Sequence, residues 1–505
     1  SSRIAIAAAL GLGAFALGAS PASAQSYGGN CCADLEERVA ELEATSVQKG
    51  NKKVSLTISG WVVKAGSWYD SGYGNGFTVG DKDYDLASRF ALTGSASIAP
   101  GWTGGFNMTV TAPGTTTGVF SNSAREYSGV NSGLFGSDYG VINTLYSYIY
   151  VKSDDWGTIN LGHLSPASDN PAVLADISGT VIESNSVVFE GGGLFLRPSG
   201  SKAPAGTFNS LLLCNTLYAP GSDCLGAAAP AIRYDSPTFA GFRFETSYGT
   251  TNVVNDILRN FNYRANTGTG LNNIPNDEDS KFWDIAVMYN EDWGDFRVAA
   301  AYAYTWIESN VLNGSSQDYH QVGGTLMHTP TGLGLYGTGN WEIMGSGEND
   351  CFGTTGIAGA LNTTLGAGGT VPEGGVTNAA TAGCAGALPD TNSWGLKPFI
   401  KRTWNPLGAT TFYGEYYQYN DFYGTASASI YPNCASANCT ITGSQVERWG
   451  LGVVQEIDAA AMHVFTRWQN LGVSEMDFVD NVSGARRTQG FDDANLFQVG
   501  GIIFF

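Results

Sequence analysis

Charge is what this sequence has least of. Only 14% of its 505 residues are Asp, Glu, Lys or Arg, whereas a soluble exported domain ordinarily carries about a quarter. What charge there is leans acidic, with 45 Asp and Glu against 25 Lys and Arg and a formal net charge of −20. Phosphate backbones recruit Lys and Arg, so nucleic acid is excluded as a partner. Histidine is scarcer still, at four residues, and the eight cysteines include no C-x-x-C. Without a His or Cys cluster at ligand spacing, neither a metal site nor a cofactor is expected. Long apolar runs are missing too: after Ala24 nothing approaches the roughly 18 apolar residues that a membrane-spanning helix needs.

The one early exception lies at the start. A basic flank (Ser1-Ser2-Arg3) precedes an apolar stretch from Ile4 to Leu17, and Pro21-Ala22-Ser23-Ala24-Gln25 carries an A-x-A cleavage signature. Residues 1–24 read as a secretory signal peptide cleaved after Ala24. Export to an oxidising compartment suits the cysteines, which fall into local pairs. Cys214/Cys224, Cys351/Cys384 and Cys434/Cys439 would each staple one loop, while Cys31 and Cys32 are adjacent and have no assigned role.

What the chain has in abundance is glycine, at 68 residues, and aromatics, at 12%. Its last ten residues, Leu496 to Phe505, alternate so that Phe497, Val499, Gly501, Ile503 and Phe505 share one face. A strand that ends on an exposed aromatic fits a barrel wall whose outer side meets lipid and whose final strand closes on the first. Residues 25–53 differ from the rest. Leu35, Val39 and Leu42, spaced as in a coiled-coil seam, predict a short N-terminal periplasmic helix, and Lys49 to Lys53 forms its linker. So short a coil needs a trimer already held together elsewhere.

From Val54 to Phe505 two kinds of punctuation alternate. Tight turns stand at 100–101, 154–157, 237–241, 292–295, 330–332, 405–408 and 458–461. Between them lie long polar stretches near 70–84, 113–140, 163–231, 250–281, 309–318, 345–393, 423–444 and 473–494. Seven short and eight long connections join sixteen strands, with both chain ends on the short-turn side. The intervening segments keep period two. In Phe242 to Tyr248, Arg243, Glu245 and Ser247 would face the lumen and the aromatics would face lipid; in Phe296 to Tyr304, Arg297 faces in. The expected fold is all-β, a 16-stranded antiparallel transmembrane β-barrel.

Chemical motifs are few. Gly332-Leu333-Gly334-Leu335-Tyr336-Gly337 matches G-x-G-x-x-G but lies inside an alternating strand, not between a strand and a helix. His163, Ser165 and Asp169 supply the residue types of a hydrolase triad without a G-x-S-x-G, so no enzyme is expected. Asn276 to Asp279 would suit a calcium ion or a cation bridge to lipopolysaccharide, or simply a solvated loop tip.

The third long loop, 163–231, carries the functional reading. It is far longer than an ordinary connection, and it is apolar at Pro171 to Ala175, Val187 to Phe189 and Gly193 to Pro198. Folding into the barrel would bury those groups. Its acids Asp169, Asp176, Glu183 and Glu190 would then oppose basic residues of the wall and loop: Arg89, Arg197, Arg243, Arg297, Arg448 and Arg467. Opposed charge across a narrow waist filters solutes by size and charge. Salt bridges pinning the loop are the alternative use of the same groups.

Cys31 to Glu43, then Lys52 to Trp61, resemble the N-terminal signature of the alphaproteobacterial general porins. Trp156 to Gly162, Ala172 to Asp176, Phe195 to Pro198 and the terminal Phe505 are similar to the same family. The resemblance implies a trimeric outer-membrane channel, constricted by its third loop, for passive diffusion of small hydrophilic solutes. A substrate-selective channel for sugars or anions is the alternative on the same scaffold. Implied partners are two further copies in a homotrimer, outer-membrane lipids and lipopolysaccharide, and the barrel-assembly machinery, which would recognise the chain through Phe505.

Overall fold

The computed structural model describes residues 54–72, 74–82, 87–111, 143–185, 193–212, 228–251, 280–309, 315–344, 390–423, 431–436 and 438–505. The segment expected to form the N-terminal helix, Glu190, Asn276 to Asp279 and Cys31, Cys32, Cys214, Cys224, Cys351 and Cys384 lie outside the described residues.

Sixteen antiparallel staves make one closed sheet. They are Ser55–Asp70, Arg89–Ala99, Trp102–Thr111, Asn143–Ser153, Gly157–Leu164, Ala229–Asp235, Phe242–Thr251, Ser280–Trp293, Phe296–Ser309, Ser315–His328, Leu333–Met344, Thr391–Asn405, Gly408–Asn420, Cys439–Ile457, Met462–Asp480 and Ala494–Phe504. Two short segments, Asn75–Gly80 and Arg486–Thr488, extend the sheet at the long-loop rim. Each stave pairs with its neighbour in sequence, and the first pairs with the last from Trp61↔Phe504 to Asp70↔Asn495. Closure leaves no free edge, which a sheet in hydrocarbon requires because lipid cannot satisfy an unpaired N–H or C=O.

The final residue completes that closure. Gly60 and Phe505 exchange both backbone hydrogen bonds, at 2.9 and 3.1 Å. Glycine is required at position 60, since a Cβ there would stand 2.2 Å from the Arg89 carbonyl oxygen on the other side.

Alternation sorts the side chains as the sequence pattern anticipates. Val62, Ile149, Leu161, Leu326, Leu335, Leu396, Leu451 and Val499 are exposed on the outer wall. Exposed aromatics gird its two ends. Trp156, Phe239, Trp293, Trp404 and Phe505 mark the short-turn end, and Trp68, Phe77, Trp283, Trp341 and Trp394 the long-loop end. An apolar belt between two aromatic rings is the outer surface of a membrane barrel.

The wall is uneven in height. Gly157–Leu164 and Ala229–Asp235 have 8 and 7 residues, whereas Cys439–Ile457 and Met462–Asp480 have 19 each. The tall side carries a buried apolar cluster inside the mouth. There Leu194, Leu196, Phe208 and Leu211 of the third loop pack with Tyr431, Phe491 and the disulfide-bonded pair Cys434–Cys439.

Candidate functional site

The third loop leaves the short stave Gly157–Leu164 and turns inward. From Ser165 to Asn185 it runs as a strap against the inner wall, and nearly every residue of it is buried. The wall receives it with hydroxyls and amides. Ser247 Oγ accepts from the Ala167 amide at 3.0 Å, and Asp284 accepts from both the amide and the hydroxyl of Ser168, at 2.9 and 2.8 Å. Tyr336 donates to the Ala172 carbonyl at 2.9 Å, Thr325 to the Ala175 carbonyl at 2.6 Å and Thr411 to the Ser178 carbonyl at 3.3 Å. Pro171–Leu174 forms a single helical turn with proline at its start, where the missing N–H is not needed. It lies so close to the wall that a Cβ on Gly323 would meet the Ala172 carbonyl oxygen at 2.2 Å. Gly323 is therefore the notch into which the strap is set.

The charged groups pair across the contact between strap and wall. Asp176 forms an ion pair with Lys397 at 2.5 Å, both side chains being essentially excluded from solvent. Glu183 meets His463 Nδ1 at 2.7 Å. Ser184 donates to Glu415, and Asp169 accepts from the Ser165 hydroxyl. Asp176 and Glu183 thus have partners, Lys397 and His463, that were not among the six arginines considered from the sequence.

Those arginines are spread over the whole barrel. Arg89 lies over the Trp61 ring, 4.6 Å from its centroid. Arg243 pairs with Glu245 of its own stave, and Arg297 with Asp292 at a short-turn rim, 2.6 Å away. Arg197, in the returning arm of the loop, is buried and donates to Ser71 Oγ at 3.3 Å; Arg197–Pro198 forms a two-residue ladder with Phe491–Asp492. Arg467 donates to the Glu183 carbonyl at 2.6 Å, and Arg448 bonds the Asn185 carbonyl while covering the Tyr417 ring. The structure brings together Asp176, Glu183, Arg448 and Arg467 on the tall side of the barrel, and leaves Arg89, Arg243 and Arg297 elsewhere.

Parity along the strands held a signal for two of the unforeseen partners. Lys397 shares its face with the buried Thr391, Ser393 and Phe399, and His463 shares its face with the buried Phe465 and Arg467. Lys82 and Arg233 also escaped notice. Lys82 comes from a loop with no periodicity, whereas Arg233 pairs with Asp235 at 2.7 Å along one inward face. His163 shares the parity of outward-facing Ile159 and Leu161, so Ser165 and Asp169 meet without it. Gly332 to Gly337 lies in the wall at stave Leu333–Met344, with no helix following it.

Comparison with known proteins supplies the context. A family model described as Gram-negative porin matches residues 7–462. No curated protein matches the sequence. Among solved structures, the anion-selective porin from Comamonas acidovorans is 15% identical, with a TM-score of 0.50 over 90% of this chain and 100% of that one. Pseudomonas putida OprB is 11% identical, with a TM-score of 0.49 over 94% and 97% of the two chains. The trimer form of Vibrio cholerae OmpT is 11% identical, with a TM-score of 0.43 over 90% and 100%. At 15% identity the likeness to the Comamonas porin is one of fold.

Proposed function

Because this chain belongs to the Gram-negative porin family, an outer-membrane channel and a multi-pass β-barrel, we propose that small hydrophilic solutes and ions diffuse passively through its lumen past the strap. The observation that carries this reading is the strap itself, a buried segment of mixed apolar and charged residues held inside the barrel against one side of its wall. Such a segment would narrow a water-filled lumen from one side while its apolar groups stay packed against the wall. No bond is made or broken; the residues act by exclusion and by field.

The finer identity proposed is an alphaproteobacterial general porin, built of a signal peptide at 1–24, a periplasmic helical segment at 25–53 and a barrel at 54–505. We further propose a homotrimer. Lys64 shares the outer face with Val62 and Trp68, its side chain 45% exposed, and it pairs with the buried Asp81. A lysine facing hydrocarbon at mid-height costs about 2–4 kcal/mol. Another copy of the chain seated on the same wall would supply polar groups to this lysine that hydrocarbon cannot. Outer-leaflet lipid and lipopolysaccharide would cover the remaining wall, and the strand ending at Phe505 would engage the assembly machinery.

Single-channel recording in planar bilayers tests the central claim. Ohmic conductance with weak ion preference is expected. Saturation by one sugar or anion would favour the substrate-selective alternative, and a chain that inserts without conducting would sink both.

A further inference from the structure

The tip of the strap closes a tight turn over residues 180–184. The Ser184 amide donates to the Thr180 carbonyl at 2.8 Å, and the Asn185 side-chain amide donates to the Val181 carbonyl at 3.1 Å. The carbonyls of residues 182–185 each accept a hydrogen bond from a side chain. Four different cations supply the donors. Lys82 Nζ reaches the Ile182 carbonyl at 2.6 Å, Arg467 Nη1 the Glu183 carbonyl at 2.6 Å and Lys397 Nζ the Ser184 carbonyl at 2.7 Å, while Arg448 Nη2 bonds the Asn185 carbonyl. All four side chains are fully buried.

These cations converge from both sides of the barrel's closing seam. Lys82 follows the first stave and its extension, whereas Arg467 belongs to the fifteenth. Gln498 of the last stave bridges them. It accepts from Arg467 Nε at 2.6 Å and donates to the Lys82 carbonyl at 3.1 Å and to Ser67 Oγ at 2.9 Å. The tip is thereby fastened by its main chain, whose atoms have far less freedom than a carboxylate at the end of a flexible side chain. Charge-assisted bonds to fixed carbonyls make a stiff fastening.

We propose that Lys82, Lys397, Arg448 and Arg467 are positioning residues that hold the strap by consecutive carbonyls and so set the bore of the pore. They are not a filter that faces solutes with exposed charge. The proposal rests on the strap being the constriction of a conducting channel. It separates two properties that opposed charges at a waist would combine: these cations govern width and steadiness, and ion preference is set elsewhere.

The test uses the full-length protein in planar bilayers and in liposomes swollen with sugars of graded size. Arg448→Met and Arg467→Met, singly and together, are expected to raise conductance, open-channel noise and the largest sugar admitted. Arg448→Lys and Arg467→Lys keep the charge and a donor, and are expected to give smaller shifts in the same three readouts. If a methionine variant fails to assemble, its lysine counterpart carries the same test. A filter would behave in the opposite way: the methionine variants would move the reversal potential in a salt gradient, leave conductance, noise and sugar cut-off alone, and the lysine variants would be silent. That result overturns the proposal. Absence of conductance in the unmodified protein would overturn the channel reading instead.

Discussion

Replacing Lys397 by methionine removes one member of a pair that has no access to water. Lys397 Nζ lies 2.5 Å from Asp176, 3.0 Å from Thr180 Oγ1 and 2.7 Å from the Ser184 carbonyl. Methionine replaces the stem of the lysine up to its last carbon and lacks only the ammonium that lies over the Tyr336 and Tyr413 rings, so packing changes little. The electrostatic loss is large. Breaking a buried pair by deleting one partner costs about 3–5 kcal/mol, because the remaining charge is stranded. The Ser184 carbonyl loses a donor as well, at about 1–3 kcal/mol, and the two terms overlap because they share one ammonium.

A total of about 4–6 kcal/mol then falls on strap docking, while the hydrogen-bond ladders of the wall stay intact. The expected phenotype is an assembled barrel with a loosened strap: high current noise, raised conductance and earlier loss of tertiary fluorescence in guanidinium. Adding Asp176→Asn removes the stranded charge while keeping the Oδ1 acceptor for the Ser178 amide. The double variant should therefore recover most of the loss. If Lys397→Met is as quiet and as stable as the parent, or if the double variant is no better than the single one, the pair does not hold the strap.

Three further outcomes are expected. Asp176→Asn alone leaves Lys397 uncompensated and should lower any preference for cations, read as a shift in reversal potential in a salt gradient; an unchanged potential would remove Asp176 from the waist. Gly323→Leu fills the notch under Ala172 and should displace the strap while the barrel still assembles, since the nearest atoms in the way all belong to Ala172 of the strap; an unaltered sugar cut-off would refute that placement. Deleting Phe505 removes both rungs to Gly60 and an exposed aromatic of the lower girdle, so it should reduce the folded barrel recovered from membranes more than it alters the conductance of what remains. Normal membrane levels would count against it.

Much of the fold was legible because a membrane barrel is written in local terms. Period-two alternation, turn residues such as Asp292-Trp293-Gly294-Asp295 and the contrast between short and long connections each involve only neighbouring residues. The strap was legible as a segment too apolar for a solvated loop, and Arg448 and Arg467 as cations on an inward face. Their bonding was not. Asp176 and Lys397 lie far apart in sequence, as do Glu183 and His463, so nothing local links them. Lys82 stands in a stretch without period, where its direction is set by the seam it bridges.

By itself, then, the sequence determined the sixteen-strand count, the inward or outward side of residues along the strands and the aromatic ends of the wall. Each of these follows from chain geometry and from the demand that backbone groups be paired in lipid. Tertiary structure decided which groups meet inside. Ring closure places Phe505 against Gly60, and the docked strap sets Asp176 against Lys397 and turns four carbonyls to four cations. Buried charge settles on whichever partners the closed barrel brings within hydrogen-bond reach, and that depends on distances created only when the last strand joins the first.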